Sequence, residues 1–292
     1  MATPAVWVLN LDADFELAAP SDGRAFTPSR ALSSYVAKSI PQARQLFAPG
    51  DVLLDDLEQD AGAGFLGRAW CPTPRARALL SAAGVEPEPA PPFSVLRAVN
   101  SRAFCAGLEQ SLSGAHFYTS GAALESLRDQ VGGASCGRGW LLKQEFGVAG
   151  RGQRRVHSGT LSEADERWAR AALRGGGLQV EPCVDIVQEF VVHGRVDRSG
   201  TSKIAVPCAQ ACTEGAWTET RRALPGELRQ REFEALEEAA SLVAQALAAA
   251  GYFGPYGIDG FRWRDADGAE HLQALSEINA RYTMGWRVGM GS

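Results

Sequence analysis

The stretch Gly257-Ile258-Asp259-Gly260-Phe261-Arg262-Trp263, followed by Glu277-Ile278-Asn279-Ala280-Arg281, decides how the chain is read. Both runs have an extended pattern. Asp265-Ala266-Asp267-Gly268 between them carries the Asp-Gly of a hairpin turn. Residues two apart on a strand share a face, so Glu277 and Asn279 project together. A hairpin brings Asp259 to the same open end. Hard oxygen ligands gathered there suit Mg²⁺ carrying nucleotide phosphates. An ordinary hairpin with polar residues at a solvated end fits the same letters.

Working outward, 292 residues with 45% hydrophobic and 22% charged side chains describe an ordinary globular protein of two or three subdomains. A net charge of −5 argues against a nucleic-acid partner. No apolar run reaches the eighteen or so residues of a membrane span, and the first residues lack the pattern of a signal peptide. The six cysteines are scattered, with no Cys-x-x-Cys pair and no neighbouring histidine to complete a zinc site. Reduced thiols in a cytoplasmic protein are the expectation.

Upstream, Val6-Trp7-Val8-Leu9-Asn10-Leu11 fits a buried first strand, with 12–16 as the loop after it. Helical spacing covers 29–39, and 51–54 is a short strand. Thr73 and Pro74 open a helix that Gly84 closes. The proline-rich segment 86–92 ends a small α/β domain, 1–92. Helices are expected at 94–112 and 121–130, and strands at 140–143, 178–181, 186–192 and 203–206. A long helix covers 227–250. The remainder divides into 93–195, with a glycine-rich loop, and 196–292, with the hairpin.

Lys143 ends an apolar strand just before Gly147, Gly150 and Gly152. Glycines let backbone N–H groups approach phosphate oxygens, and an ammonium adds favourable charge. No Gly-Lys-Ser/Thr follows, so this is not a Walker A loop, and a plain glycine-rich hairpin turn has the same letters. Arg151, Arg154 and Arg155 read as a solvated strand face. Glu181-Pro182-Cys183-Val184 is an extended linker able to offer backbone polar groups to an adenine edge. Glu189 further on suits ribose hydroxyls, and Lys203 suits phosphate; each also reads as plain surface.

The order of these features, over 100–286, resembles the ATP-grasp superfamily. The sharpest matches are Leu141-Leu142-Lys143 with its glycine loop, and Glu277-Ile278-Asn279-Ala280-Arg281. The resemblance implies an α/β fold, α+β in the grasp portion: a small pre-grasp α/β domain, then two subdomains holding ATP between antiparallel sheets. It assigns Lys143 to the α/β-phosphates and the glycine loop to a lid. Glu181 with the backbone to Val184 would hold adenine, and Glu189 the ribose. Lys203 would touch phosphate, and Asp259, Glu277 and Asn279 would hold one or two Mg²⁺, with Mn²⁺ as a substitute. Arg281 would face the acyl phosphate or substrate carboxylate; a surface arginine offsetting the acidic cluster is the alternative.

Three departures stand out. Arg102 occupies the place where the family commonly has its first phosphate-binding lysine. Asp259 and Glu277 are eighteen residues apart, several more than usual, which implies a longer turn or a bulge. Only fifteen residues follow Glu277, little room for a C-terminal substrate-binding extension.

The resemblance implies an ATP-dependent ligase that joins a small-molecule carboxylate to an amine through an acyl phosphate. A grasp-type small-molecule kinase and a non-catalytic nucleotide-binding subunit are the alternatives. Transfer of this kind needs no protein nucleophile, which agrees with the scattered histidines (His116, His157, His193 and His271). A homodimer is the default assembly for a protein of this kind.

Overall fold

The computed structural model describes residues 3–19, 26–57, 64–119, 123–133, 138–147, 150–157, 159–213 and 216–291. The N-terminal region holds β1 (Ala5–Val8), α1 (Ala13–Ala18), α2 (Arg30–Ala43), β2 (Val52–Leu53), β3 (Leu66–Ala69) and α3 (Pro74–Ala82). Its three strands form a parallel sheet in the order β2-β1-β3. As expected, the Thr73 hydroxyl caps α3 and Pro74 is its first residue.

The segment 12–16 is not a loop. It enters the short α1, whose Asp14 and Glu16 are buried. Arg75 pairs with Asp12 and Glu16, and the Thr73 hydroxyl donates to Glu16 at 2.7 Å. These partners lie some sixty residues downstream, where local propensity carries no trace of them.

The expected helix 94–112 is also two helices, α4 (Phe93–Val99) and α5 (Arg102–Ala106). Asn100 ends the first, and the Ser101 hydroxyl accepts the Phe104 N–H at the start of the second. The Asn100 side chain clasps the backbone of Ala280, accepting its N–H at 2.9 Å and donating to its C=O at 3.3 Å. That clasp fixes the start of α5, and therefore Arg102, against the end of the final hairpin.

The middle sheet comprises β4 (His116–Tyr118), β5 (Trp140–Gln144), β6 (Gln153–Val156) and β7 (Leu178–Pro182), antiparallel in the order β4-β7-β5-β6. α6 (Ala123–Gly133) and α7 (Glu163–Arg174) complete a separate core through Leu127, Leu142, Leu173 and Val180.

The last sheet contains β8 (Asp185–Val196), β9 (Ser202–Ile204), β10 (Cys208–Thr213), β11 (Ala216–Arg222), β12 (Gly254–Arg264) and β13 (Glu270–Asn279). Its order is β11-β10-β8-β12-β13, with β9 also on β8. α8 (Gln230–Ala249) lies on one face, where Leu236, Val243 and Leu247 meet Phe190, Val192, Tyr256 and Ile258. The same core takes in Trp7, Leu17, Leu96 and Val99, so the N-terminal region and the last sheet are welded together. α9 (Trp286–Met290) follows the hairpin.

Two corrections concern this sheet. β8 pairs with β12 along most of its length, so the two grasp sheets divide at Cys183-Val184 and not at 195/196. The strands β10 and β11 carry no clear apolar alternation (Cys-Ala-Gln-Ala-Cys-Thr and Ala-Trp-Thr-Glu-Thr-Arg-Arg), and the sequence reading passed over them.

Candidate active site

The hairpin forms as expected, with Asp265 accepting the N–H groups of Asp267 and Ala269 in its turn. Asp259 lies opposite Glu277, and Gly257 opposite Asn279. From there to the next pair, Phe261 with Gln273, β12 advances two residues and β13 advances four. This bulge absorbs the long spacing. Gly260 sits within it, where a Cβ would lie 2.9 Å from the carbonyl oxygens of Gln273 and Ala274.

The Asn279 amide donates to Asp259 Oδ2 at 2.9 Å. Burial and the neighbouring Glu277 push the Asp259 pKa up to about 7. Burial also works to raise Glu277, but the cations Arg102, Lys143 and Arg281 outweigh it and hold its pKa below the usual carboxylate value. Glu277 remains 32% exposed.

The cationic side comes from the facing sheet and from α5. Lys143 Nζ lies 2.5 Å from Glu181 Oε1, and both are buried. Gln179 donates to the other Glu181 oxygen at 3.0 Å. The Glu181 carboxylate is therefore engaged in holding Lys143, and in the linker after it the Cys183 N–H donates to the Gly139 carbonyl at 2.8 Å. Arg102 bridges the sheets: Nη1 donates to the Gln144 carbonyl at 2.8 Å and Nη2 to Glu277 at 2.9 Å.

Gly147, at the start of the glycine loop, lies beside Arg102. A Cβ on Gly147 would lie 3.6 Å from Arg102 Nη1 and 2.5 Å from the Arg151 carbonyl. Gly150 and Gly152 both adopt positive φ, as a tight turn requires; Val148 and Ala149 lie outside the described residues. The Arg151 guanidinium sits 3.9 Å from the Tyr35 ring centre on α2, and Arg154 pairs with Asp165. Two of the arginines read as solvated thus have partners.

Where β8 and β10 splay apart, a cleft of about 480 Å³ is lined by Ile186, Val187, Glu189, Gln210 and Cys212. Glu189 joins it to the hairpin cluster, since its charge acts on Asp259. Exposed Ile186 and Val187 line it with apolar surface. Lys203 is not brought in. It is exposed on β9 opposite Arg195, four residues along β8 from Val191, the partner of Asp259. At strand rise that is about 13 Å.

Arg281 is buried and not a surface residue. Nη2 pairs with Asp14 at 3.0 Å, the guanidinium lies 5.4 Å from the Trp70 ring centre, and Nε has no partner among the described residues. Burial raises the Asp14 pKa, and Arg281 opposes that rise. Asp14 is the site residue the sequence reading missed. Its signal was the alternation Asp12, Asp14, Glu16 directly after the first strand.

Among the described residues no group of three His, Cys, Asp or Glu side chains is arranged to hold a metal ion. The hairpin set is two carboxylates and an amide, all hard oxygen donors. It fits a divalent cation: Asp259 facing Glu277 is a confined pair of like charges, which a dication relieves.

Solved structures share this fold. D-alanyl-alanine synthetase A from Vibrio cholerae superposes with a TM-score of 0.54 at 14% identity, covering 99% of this chain and 92% of that one. The chain has the ATP-grasp fold. Two N5-carboxyaminoimidazole ribonucleotide synthetases share this grasp, each with a TM-score of 0.51. The one from Thermus thermophilus is 19% identical and covers 95% of this chain and 71% of its own. The other, from Staphylococcus aureus and complexed with ADP, is 10% identical and covers 96% and 71%. The chain spans 60% of the length of a further synthetase of this kind. No family model and no curated protein matches the sequence. Within the grasp, the middle and last sheets are the two jaws, and Arg102 lies where they meet.

Proposed function

We propose that the protein is an ATP-dependent ligase joining a small-molecule carboxylate to an amine through an acyl phosphate. One arrangement carries this reading: Asp259 pairs with Glu277 and is bonded by Asn279, while Arg102, anchored on the Gln144 carbonyl of the middle sheet, reaches Glu277, whose pKa Lys143 also lowers. The relatives in fold support it by what they are: a D-alanyl-alanine synthetase and a synthetase complexed with ADP.

Mg-ATP, when bound, supplies the γ-phosphoryl group and the charge that steadies it. Glu277, Asn279 and Asp259 would hold the cation, with Asp259 losing its proton. Lys143 and Arg102 offset phosphate charge. Glu189 and the linker through Val184 seat the nucleoside against Ile186 and Val187. Arg281, oriented by Asp14, fixes the acid through a planar two-oxygen contact. A carboxylate oxygen attacks the γ-phosphorus as the bond to the ADP oxygen breaks. The amine then attacks the acyl carbon, phosphate leaves, and the amine's proton passes to solvent. Positioning and charge stabilisation are the protein's whole contribution.

The test is ADP release with pooled acids and amines. Release that needs both, with hydroxylamine trapping a hydroxamate, supports ligation. A stable phosphorylated product from a single compound points to a kinase. Nucleotide binding with no turnover under any pairing points to a binding subunit.

A further inference from the structure

The three cations of the site are each matched by a carboxylate of the protein: Lys143 by Glu181, Arg102 by Glu277 and Arg281 by Asp14. Two of these pairs are internal to the scaffold. Lys143 and Glu181 belong to one sheet, and Arg281 and Asp14 are both buried, with Trp70 beside the guanidinium. Arg102 and Glu277 differ. They cross from one jaw to the other, and the two ends are unequally covered, with the Arg102 side chain 6% exposed and that of Glu277 32%.

Glu277 is also a proposed metal ligand, and Arg102 a proposed phosphate ligand, so each is held by the other in place of its ligand. We propose that Arg102 and Glu277 exchange partners: a divalent cation takes Glu277, and the Arg102 arm so released takes a phosphate oxygen. This couples cation binding to nucleotide binding, and it rests on the ATP-site reading given above.

Arginine is suited to the exchange where lysine is not. Its fork keeps Nη1 on the Gln144 carbonyl while Nη2 changes acceptor, so the guanidinium turns about an anchored arm. The peptide N–H of Arg102 is itself fixed to the Glu145 carbonyl at 3.1 Å, and Asn100 ties the start of the helix to Ala280. The backbone therefore stays in place. The glycine loop runs within reach of the same guanidinium, since the nearest side-chain atom to a Cβ on Gly147 would be Arg102 Nη1.

The coupling follows from burial. Arg102 is the buried end, so removing its partner leaves an uncompensated charge, while Glu277, one-third exposed, is stranded at lower cost. A cation alone on Glu277 strands Arg102, and a phosphate alone on Arg102 strands Glu277. Binding both leaves neither stranded. Lys143, Arg281, Asp14 and Asp259 are the other charges facing the pair, and each has a partner of its own: Glu181 for Lys143, Asp14 and Arg281 for each other, and the Asn279 amide for Asp259.

The experiment measures Mn²⁺ affinity by electron paramagnetic resonance, with and without a non-hydrolysable ATP analogue, in the full chain and in Arg102→Met and Arg102→Lys. Arg102→Met frees Glu277. Mn²⁺ alone is expected to bind it about fivefold or more tighter than wild type, and the enhancement by the analogue to shrink by a similar factor. Arg102→Lys, which keeps the charge but cannot hold Gln144 and Glu277 together, is expected to lie between and covers the case in which the methionine variant does not fold. Mn²⁺ affinity without nucleotide that is unchanged or weaker in the variants overturns the exchange. Wild-type protein that binds no nucleotide overturns the ATP-site reading instead, so the two failures are distinguishable.

Discussion

Asp259 stands directly opposite Glu277 across the final hairpin, although the bulge at Gly260 makes the two strands unequal in length between this pair and the next. The two carboxylates meet across the hairpin, one with its pKa raised to about 7 and the other held low. On the proposed reading, a proton and a dication compete for Asp259 at this point.

Glu277→Ala is expected to lower Mg-dependent turnover by about 10³-fold, because metal clamping supplies several kcal/mol of transition-state stabilisation. Steady-state kinetics check this. Near-normal turnover in the variant removes Glu277 from the metal site.

The raised pKa of Asp259 sets a pH dependence. In the folded protein its proton is retained up to about pH 7, whereas the unfolded chain releases it near 3.8. The contribution to stability is full below pH 3.8 and is lost as pH rises through about 7. A dication must displace that proton. Thermal stabilisation by Mg²⁺ should therefore be small at pH 5.5 and larger at pH 8. In Asp259→Asn the metal-free protein should gain stability at pH 8. Melting curves at the two pH values measure both effects.

His193 is fully buried with neither ring nitrogen bonded among the described residues, and burial lowers its pKa to about 4. The unfolded chain takes up its proton near pH 6.5, so the folded state loses stability as pH falls from 6.5 to 4, by about 3 kcal/mol in total. His193→Leu should remove that portion of acid sensitivity. Denaturant titrations at pH 7 and pH 4.5 provide the check, and an unchanged difference between them contradicts it.

Asp14→Ala leaves Arg281 buried without a counter-charge and should destabilise the protein by about 3–5 kcal/mol. Asp14→Asn, which keeps a hydrogen-bond acceptor, should recover part of that loss. Chemical denaturation of the two variants separates a charge effect from a packing effect.

Much of the site was legible because strand periodicity and the Asp-Gly turn are local. Glu277, Asn279 and Lys143 fell on the strands expected, and the excess spacing to Asp259 resolved into a bulge. What escaped was set by distant partners. Asp14 turns inward on a helix because Arg281, far along the chain, receives it, and α4 and α5 part because Asn100 binds Ala280. Lys203 failed for a related reason. Its strand lies in the right sheet, but register on β8 places it at the far end, and register is not written in a three-residue strand.

The most direct test is a crystal structure with Mn²⁺ and a non-hydrolysable ATP analogue, with manganese located by its anomalous signal. The expected result is manganese bound to Glu277 and Asn279, the phosphates directed to Lys143 and Arg102, and the Arg102–Glu277 contact open. A nucleotide bound outside the cleft between the two antiparallel sheets, or manganese away from the hairpin, would contradict the account.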